Sequence, residues 1–250
     1  MIRERERERE QVPAVSNSKE LNPQVIPSIN QILQDLHSNN SSSDLFSDSP
    51  IVSFKSNQVL YEQGDRIEFV YFPLNCVVSN LGIIEDGTTL ETSMVGSEGF
   101  VGISAILGSG FSQQWSWVLT SGEAVQVKAS KLDKLFVRNE PALRRLLRCY
   151  RSLVTQTSQR GICNAKHTLL ERLSCWLLMI HDRVGGDDLR LTQELIASRV
   201  GARRAGVTVA AGLLQEMRAI EYRRGQLHIL DREALEEVVC ECYSIIQAES

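Results

Sequence analysis

A short helix, a glycine break and a second helix of small residues near the carboxyl end constrain the fold of this chain most. The segment LTQELIASRVGARRAGVTVAAGLLQ covers residues 191–215. Thr192 is a good N-cap for a first helix that runs to about residue 200, and Gly201 marks the break. A second helix follows over residues 203–218, because apolar residues recur there at helical spacing. These residues are Val207, Ala211, Leu214 and Met217. Two helices joined in this way predict a helix-turn-helix.

The residues after this helix pair predict a β wing and a closing helix. The stretch IEYRRGQLHIL, residues 220–230, is typical of a hairpin that turns at Arg224-Gly225. Asp231 would cap a last helix, whose apolar face consists of Leu235, Val238, Val239, Cys242 and Ile246. With the amphipathic helix that precedes the pair, these elements predict a winged helix-turn-helix domain over residues 164–250.

The same region concentrates positive charge. Residues 190–224 hold seven arginines and three glutamates, a local charge of +4 in a chain whose net charge is −4. A helix docked in the major groove presents its first turns to base edges, and a wing reaches the flanking phosphates. Arginine suits both contacts because its planar fork pairs with guanine or with phosphate oxygens. Solvated surface arginines are the alternative, although the positive end of a helix is an unfavourable place for them.

Roles in DNA binding follow from these positions. The predicted DNA-binding residues are Arg203, Arg204, Thr208, Thr192, Arg223 and Arg224. We expect Arg204 to contact a base and Arg203 to share base and phosphate, whereas the two wing arginines should touch phosphate only. Thr208 is a candidate for a phosphate or a thymine methyl group. Small residues of the second helix would let its backbone approach the groove closely, and these are Ala205, Gly206, Thr208 and Ala210.

Residues 51–130 have a different sequence pattern, in which short runs of strand-forming residues are interrupted by glycine or Asp-Gly every 8–15 residues. The sequence EDGT at residues 85–88 is typical of a hairpin turn, and the spacing of the runs predicts an antiparallel jelly roll. Trp115 and Trp117 lie two apart and therefore on one face of a strand. They either pack in the core or line a small apolar effector pocket.

Between the two domains lies a helix with a seam-like apolar stripe. Its residues are Leu143, Leu147, Tyr150, Val154 and Thr157, spaced 4, 3, 4 and 3 apart, and Leu146 and Leu153 widen it. The pattern predicts a helix from the sequence RNEP to about Cys163 and indicates pairing with a second copy of the chain. An ordinary core-facing helix is the alternative, because the seam covers only two to three heptads. Residues 131–163 are thus expected to form a helical linker and dimer helix.

Residues 1–50 combine an alternating Arg/Glu run with many serines and prolines. This composition predicts a mostly disordered extension with one short helix near residues 29–36. The chain has no run of 18 apolar residues and no segment typical of a leader, so we expect a soluble, cytoplasmic protein without membrane contact. Its six scattered cysteines are typical of reduced thiols.

The order of these parts resembles the Crp/Fnr family of bacterial transcription regulators, in which a cyclic-nucleotide-binding-type jelly roll precedes a long dimer helix and a winged helix-turn-helix. The resemblance covers roughly residues 51–246 and is most specific in LTQELIASRVGARRAGVTVAAGLLQ and IEYRRGQLHILD. In well-known members the recognition helix opens with Ser/Thr-Arg-Glu, and a further arginine follows. Arg204 fills the first arginine position, whereas Ala205 and Val209 replace the glutamate and the later arginine. The resemblance therefore implies DNA binding but not the family's best-known operator.

The β domain departs further from that family. Members that bind cyclic AMP use a Gly-Glu pair for the ribose and, further on, an Arg-Ser/Thr pair for the phosphate. Here the matching positions read Gly102-Ile103 and SQQWSWV, and residues 67–127 contain six acidic residues but no lysine or arginine. Because a buried phosphate without a cation is costly, we expect no response to cyclic AMP and no cofactor.

Candidate metal and catalytic sets are sparse. Cys163 and His167 lie four apart, while Cys240 and Cys242 lie two apart in the last predicted helix. Helical positions two apart point to different faces, and metal or iron–sulfur sites need three or four converging ligands. The family's oxygen sensors gather their ligands near the amino terminus, where this chain has no cysteine before Cys76. We therefore expect no metal site, and we expect no enzymatic activity because no nucleophile-base-orienter set is visible.

These features predict an α+β protein with an N-terminal β jelly roll, a long dimerisation helix and a C-terminal winged helix-turn-helix. The expected function is sequence-specific regulation of transcription by a homodimer that binds an inverted repeat in double-stranded DNA and does not respond to cyclic AMP. RNA polymerase and an unidentified small-molecule effector are further candidate partners. The alternative is a ligand or signal receptor whose winged helix mediates protein contacts.

Overall fold

The computed structural model describes residues 30–38 and 49–249. Ten strands lie in this part of the chain: β1 Ile51–Phe54, β2 Val59–Tyr61, β3 Phe69–Pro73, β4 Val77–Ile83, β5 Thr89–Val95, β6 Trp115–Thr120, β7 Gly122–Lys128, β8 Asp188–Arg190, β9 Ile220–Arg223 and β10 Gln226–Ile229. Nine helices accompany them in the same part: α1 Gln31–Ser38, α2 Ser104–Leu107, α3 Ala129–Arg138, α4 Glu140–Lys166, α5 Leu169–Val184, α6 Gln193–Val200, α7 Arg204–Glu216, α8 Arg232–Val238 and α9 Cys242–Gln247.

Strands β1 to β7 form two antiparallel sheets that enclose an apolar core. The sheet orders are β1-β7-β3 and β2-β6-β4-β5, and side chains such as Phe72 and Phe100 stack between them with ring centroids 5.3 Å apart. The β4–β5 hairpin turns at the predicted EDGT sequence, where the Thr88 N–H donates to Asp86 Oδ1 at 2.8 Å. The jelly roll predicted from the spacing of the glycine breaks is therefore confirmed.

A short helix from the N-terminal extension packs on this β domain. Helix α1 lies where the sequence predicted a helix, and Ile32 and Leu33 are buried. The Asn30 amide donates to the carbonyls of Pro73 and Gly99, while its Oδ1 accepts from the first backbone N–H groups of the helix. Asn30 thus caps α1 and attaches it to the β domain. The rest of the predicted disordered extension lies outside the described residues, apart from residues 49–50.

Helix α4 is the longest element and connects the two domains. Asn139 caps it by accepting a hydrogen bond from the Ala142 N–H, Pro141 occupies its first turn, and its 27 residues give a length of about 40 Å. One face packs against the β domain and the winged helix through Ala142, Leu146, Ser152, Gln156, Arg160 and Cys163. Leu146 and Leu153 were expected to widen the outward stripe, but both pack into the β-domain core instead.

The C-terminal domain has the helix order and the wing that the sequence predicted. Thr168 and Glu171 form a capping box at the start of α5, and Thr192 caps α6. Helix α7 follows after the turn at Gly201, and strands β9 and β10 form the wing with a turn at Arg224-Gly225. Strand β8 pairs with β10 and makes the wing three-stranded.

Two details of this domain correct the sequence prediction. Met217 is exposed, because α7 ends at Glu216 and Met217 caps it instead of continuing the buried face. The last predicted helix is two helices, because Val239 adopts an extended backbone conformation that ends α8. A new helix, α9, begins at Cys242 and turns Tyr243 and Ile246 into the core.

Candidate nucleic-acid interface

The outer face of α7 carries the predicted recognition residues. Arg203 is the N-cap of the helix, and Arg204, Ala205, Thr208 and Val209 are all exposed. The opposite face is buried and consists of Val207, Ala210, Ala211 and Leu214. The exposed face of α7 is thus basic at its amino end and has small side chains beyond it, which suits insertion into a groove.

Two of the small residues serve packing rather than approach to DNA. A Cβ atom on Gly206 would lie 2.8 Å from Leu169 Cδ2, so glycine lets α7 pack closely on α5. Ala210 is buried on the same inner face. The expectation that Gly206 and Ala210 let the backbone approach the groove is therefore wrong, and Ala205 and Thr208 alone of the four small residues point outward.

The amino end of α7 carries positive charge and no acidic residue. Four of the described helices have an acidic residue in the first turn, namely Glu140, Glu171, Glu194 and Glu233, whereas α7, like α1, α2, α3 and α9, has none and begins at Arg204. Positive charge at this end opposes the helix dipole and costs about 0.3–1 kcal/mol per residue. A polyanion bound at this end would offset that cost and would also accept hydrogen bonds from the free N–H groups of the first turn.

Both predicted threonines already have partners inside the protein. The Thr192 hydroxyl accepts a hydrogen bond from the Leu195 N–H at 3.1 Å, as an N-cap does. The Thr208 Oγ1 lies 3.0 Å from Gln193 Oε1 and 3.1 Å from the Arg204 carbonyl oxygen, so its hydroxyl links α7 to the start of α6. The exposed methyl group of Thr208 remains for contact with a ligand.

The wing presents a row of arginines. Arg223 and Arg224 are exposed, and Arg224 and Gly225 both have positive φ values, 48° and 79°, as a tight hairpin turn requires. Gln226 pairs with Arg223 on one side and with Arg190 on the other, so these three side chains lie in one row across the sheet. Sequence reasoning counted Arg190 but assigned it no role, because a three-residue strand has no recognisable period.

Tyr222 joins the wing to the recognition helix. Its hydroxyl donates to the Leu191 carbonyl at 2.7 Å, and its N–H donates to Gln215 Oε1 on α7 at 3.0 Å. Burial raises the pKa of Tyr222, and the positive charge of Arg204 acts in the opposite direction. Tyr222 thus holds strand β9 of the wing against α7, the helix that begins at Arg204.

Two guanidinium groups, one buried and one partly exposed, hold the turn of the helix-turn-helix. Arg160 of α4 donates to the Arg199 carbonyl at 2.9 Å, and Arg172 of α5 donates to the carbonyls of Val200 and Gly201. These carbonyls form the C-terminal end of α6, where positive charge is favourable. Gly201 has a φ of 62°, and a Cβ atom there would lie 2.7 Å from Leu90 Cδ1 of strand β5. The turn is thus fixed to α4, to α5 and to the β domain.

Arg199 belongs to this domain contact and not to the DNA surface. It is buried, and its guanidinium lies 5.4 Å from the centroid of the Trp117 ring. Burial lowers the pKa of Arg199, and Glu91 opposes that effect. Trp117 contacts Trp115 edge to face with centroids 6.3 Å apart. These tryptophans, expected in the core or in an effector pocket, instead lie half-buried where strand β6 meets α6.

Two acidic residues of the β domain fasten the winged helix to it. Glu91 is buried and accepts hydrogen bonds from Trp176 Nε1 at 2.8 Å and from the Ser79 hydroxyl. Glu98 forms an ion pair with Arg183 at 2.7 Å, and both side chains are largely buried. Sequence reasoning treated these carboxylates only as evidence against a phosphate site, since their partners lie 85 residues away.

A cavity of about 280 Å³ lies between the β domain and α4. It is lined by Gly102 and Ile103, by uncharged polar residues including Asn80, Ser93 and Ser116, and by Tyr150 and Val154 of α4. The Asn80 amide donates to Ser93, and the Ser116 hydroxyl donates to Asn80. No charged side chain is among the described residues that line it. Trp115 and Trp117 do not line it either.

The predicted seam is the exposed stripe of α4. Leu143, Leu147, Tyr150, Val154 and Thr157 are all exposed and lie apart from the buried residues of α4, and three of them, Tyr150, Val154 and Thr157, also line the cavity. Helix α4 is therefore core-facing on one side and carries an exposed apolar stripe on another, and pairing through that stripe stays a prediction.

Four residues that were not expected to form a metal site converge. Cys163, His167, Cys240 and Cys242 place their ligand atoms within 4.8 Å of one another. The expectation that Cys240 and Cys242 face different directions is wrong, because they do not lie in one helix. All six cysteines are free thiols.

Comparisons with known proteins agree with this architecture. The family model described as a cyclic nucleotide-binding domain matches residues 51–139, and the one described as a Crp-like helix-turn-helix domain matches residues 171–238. The global nitrogen regulator of Nostoc sp. strain PCC 7120 is 23% identical over 190 residues, which cover 72% of this chain and 85% of that protein.

Two solved structures have a similar fold. FixK2 from Bradyrhizobium japonicum superposes with a TM-score of 0.65 at 18% identity, over 77% of this chain and 98% of that one. A CRP/FNR family transcriptional regulator from Thermus thermophilus has a TM-score of 0.61 at 22% identity, over 75% and 97% of the two chains. No helix in the described part of the chain is long and apolar enough to cross a membrane.

The jelly roll, the long helix and the basic winged helix together define a transcription regulator with a helix-turn-helix DNA-binding domain. The two family models match the β domain and the winged helix in the order in which the structure has them, and together they cover more than half of the chain. The chain belongs to the Crp/Fnr family.

Proposed function

We propose that this regulator binds DNA as a homodimer and reads an inverted repeat through α7. The observation that carries the proposal is the pair Arg203 and Arg204, exposed at a helix end that lacks any acidic residue in its first turn. Arg204 would make a bidentate contact with guanine, and Arg203 would share base and phosphate. Arg190 and Arg223, which lie in one row across the wing, and Arg224 in its turn would bind flanking phosphates.

The exposed stripe of α4 supports the homodimer. An amphipathic helix whose second apolar face is exposed over four turns is suited to pairing with the same face of a second copy. A two-fold pair of α4 helices would place two α7 helices on symmetric half-sites about one helical turn of DNA apart. Because the ligand is chromosomal DNA, we place the protein in the cytoplasm and assign it no catalytic role.

The β-domain cavity supports a regulator that does not bind cyclic nucleotides. Ile103 occupies the position of the ribose-binding glutamate, and no cation lines the cavity among its described residues. A bound phosphate there would have no charge partner. The chemistry of the lining instead suits a small, uncharged molecule with hydrogen-bonding groups. RNA polymerase is the further partner that regulation of transcription would require.

Selection of bound sequences from a random pool of duplex DNA tests this function. We expect an inverted repeat with two half-sites, and an affinity that falls by about 10³–10⁵ between 50 and 200 mM salt if six to ten phosphates are contacted. A chain whose winged helix serves protein contacts would enrich no sequence and would show no such dependence on salt. That result would refute the proposal.

A further inference from the structure

Four metal-ligand side chains from separate parts of the chain meet beside α4. Cys163 lies in the last turn of α4 and His167 caps that helix, while Cys240 and Cys242 flank Glu241 between α8 and α9. We name Cys163, His167, Cys240 and Cys242 the cysteine–histidine cluster. The Sγ atoms of Cys163 and Cys240 are 3.6 Å apart, and the Sγ atom of Cys242 lies 3.6 Å from Nδ1 of His167.

These separations fit one tetrahedral metal ion. With metal–sulfur distances near 2.3 Å and metal–nitrogen distances near 2.0–2.1 Å, the ligands of such a site lie roughly 3.5–3.8 Å apart. All ligand atoms of the cluster are within 4.8 Å of one another, so small side-chain rotations would close the set. An iron–sulfur cluster would spread its protein ligands over two or more irons, so that ligand atoms on different irons would lie further apart than in this cluster. A disulfide would require the sulfurs at about 2.05 Å.

The surroundings of the cluster are those of a closed site. The three cysteines are buried, and the His167 side chain is 14% exposed. Nε2 of His167, the nitrogen that faces away from Cys242, lies 3.4 Å from a Glu241 carboxylate oxygen. A carboxylate on the second ring nitrogen orients a metal-binding histidine and fixes its tautomer.

A buried cation next to the cluster provides a second observation. Arg160 is buried, and its Nε and Nη1 atoms have no hydrogen-bond partner among the described residues. It lies one helical turn before Cys163 on the same buried face of α4. Three thiolates and one neutral imidazole around a divalent ion carry a net charge of about −1, which would give this guanidinium a counter-charge.

We propose that the cysteine–histidine cluster is a structural site for one thiophilic divalent ion of the Zn²⁺ class. With all four positions taken by protein, the ion has no open coordination site for catalysis. It would tie the carboxyl end of α4 and the α4–α5 joint to the segment between α8 and α9. The ion would thereby fix the winged helix relative to the dimer helix.

Metal binding by the full-length chain tests the site directly. The reduced, metal-stripped protein is titrated with Zn²⁺ against a chromophoric chelator, and with Co²⁺ while the absorption spectrum is recorded. We expect one ion per chain, with cobalt bands that report thiolate ligation in tetrahedral geometry. Cys240→Ser should weaken Zn²⁺ binding by more than about 100-fold, whereas the matched control Cys149→Ser, on α4 but outside the cluster, should bind as the wild type does.

A surface variant keeps the test independent of folding. Glu241 is exposed, so Glu241→Gln should leave the fold intact and weaken Zn²⁺ binding by about 10–100-fold through the His167 ring. Absence of Zn²⁺ binding by the reduced wild type, or formation of a Cys163–Cys240 disulfide by a protein that takes up no metal, would overturn the proposal. Cys175 of α5 is buried beside Cys163 and Cys240 and is therefore the competing fourth ligand. Retention of tight binding in His167→Ala with loss in Cys175→Ser would overturn the assignment of the imidazole.

Discussion

Replacing two residues in the middle of the α4 stripe should convert the dimer into monomers. Leu147 and Val154 are 50% and 44% exposed in the single chain, and Leu143 and Tyr150 are 39% and 46% exposed. These four side chains expose roughly 700 Å² over two subunits, which is worth roughly 17 kcal/mol when buried at about 25 cal/mol/Å². Association costs about 4–15 kcal/mol, so the margin of stability is small.

The double variant Leu147→Glu, Val154→Glu should remove more free energy than the net free energy that stabilises the dimer. It deletes roughly half of the apolar area, about 8 kcal/mol, and places four carboxylates in the seam at a cost of several kcal/mol each. Since about 1.4 kcal/mol is a factor of ten in affinity, even a nanomolar dimer would dissociate at micromolar concentration. Sedimentation equilibrium should show a monomer that binds a two-half-site operator weakly.

Ile84→Glu is the matched control, because Ile84 is more exposed than either residue and lies in the β4–β5 turn, away from the stripe. This variant should remain dimeric and bind the operator as the wild type does. A double variant that sediments as a dimer at micromolar concentration would refute the reasoning. A wild-type chain that is monomeric in the presence of operator would do so as well.

Three further results are expected. Arg204→Ala should weaken binding to the selected operator by about 1–3 kcal/mol and relax the base preference at one base pair in each half-site, whereas Arg223→Ala should weaken binding to operator and to random DNA equally in fluorescence anisotropy. The reverse pattern would mean that the roles of the two arginine clusters have been exchanged. Cyclic AMP and cyclic GMP should give no calorimetric binding below about millimolar, and micromolar affinity would contradict the uncharged cavity. Trp176→Phe should lower the free energy of unfolding in urea by about 1–3 kcal/mol, because it removes a hydrogen-bond donor to the buried Glu91. Trp115→Phe is the control, and a Trp176→Phe variant with an unchanged unfolding midpoint would show that this hydrogen bond contributes little.

Local signals in the sequence were sufficient to predict the order of helices and strands. The caps at Thr192 and Asp231 lie where the sequence predicted them, as does the wing turn at Arg224-Gly225. Such features depend on residues within about four positions of each other, because helix periods, caps and tight turns are set by backbone geometry at that range. The recognition face of α7 was accessible to the same reasoning, since helical spacing separates exposed Arg204 and Thr208 from buried Val207.

Tertiary contacts decided which arginines are free and which cysteines meet. Arg199 and Arg204 lie five residues apart in one basic segment, yet only packing against Trp117 shows that Arg199 is unavailable to DNA. Glu91 and Trp176 are 85 residues apart, and Cys163 and Cys240 are 77 apart. No periodicity connects such positions, because their approach depends on how whole elements dock and on where the chain breaks, as it does at Val239 between α8 and α9. The sequence alone therefore determined the class of fold and the exposed basic face of α7. The docking of the domains, the uncharged cavity and the cysteine–histidine cluster required the folded chain, because each is made of side chains brought together by long-range packing.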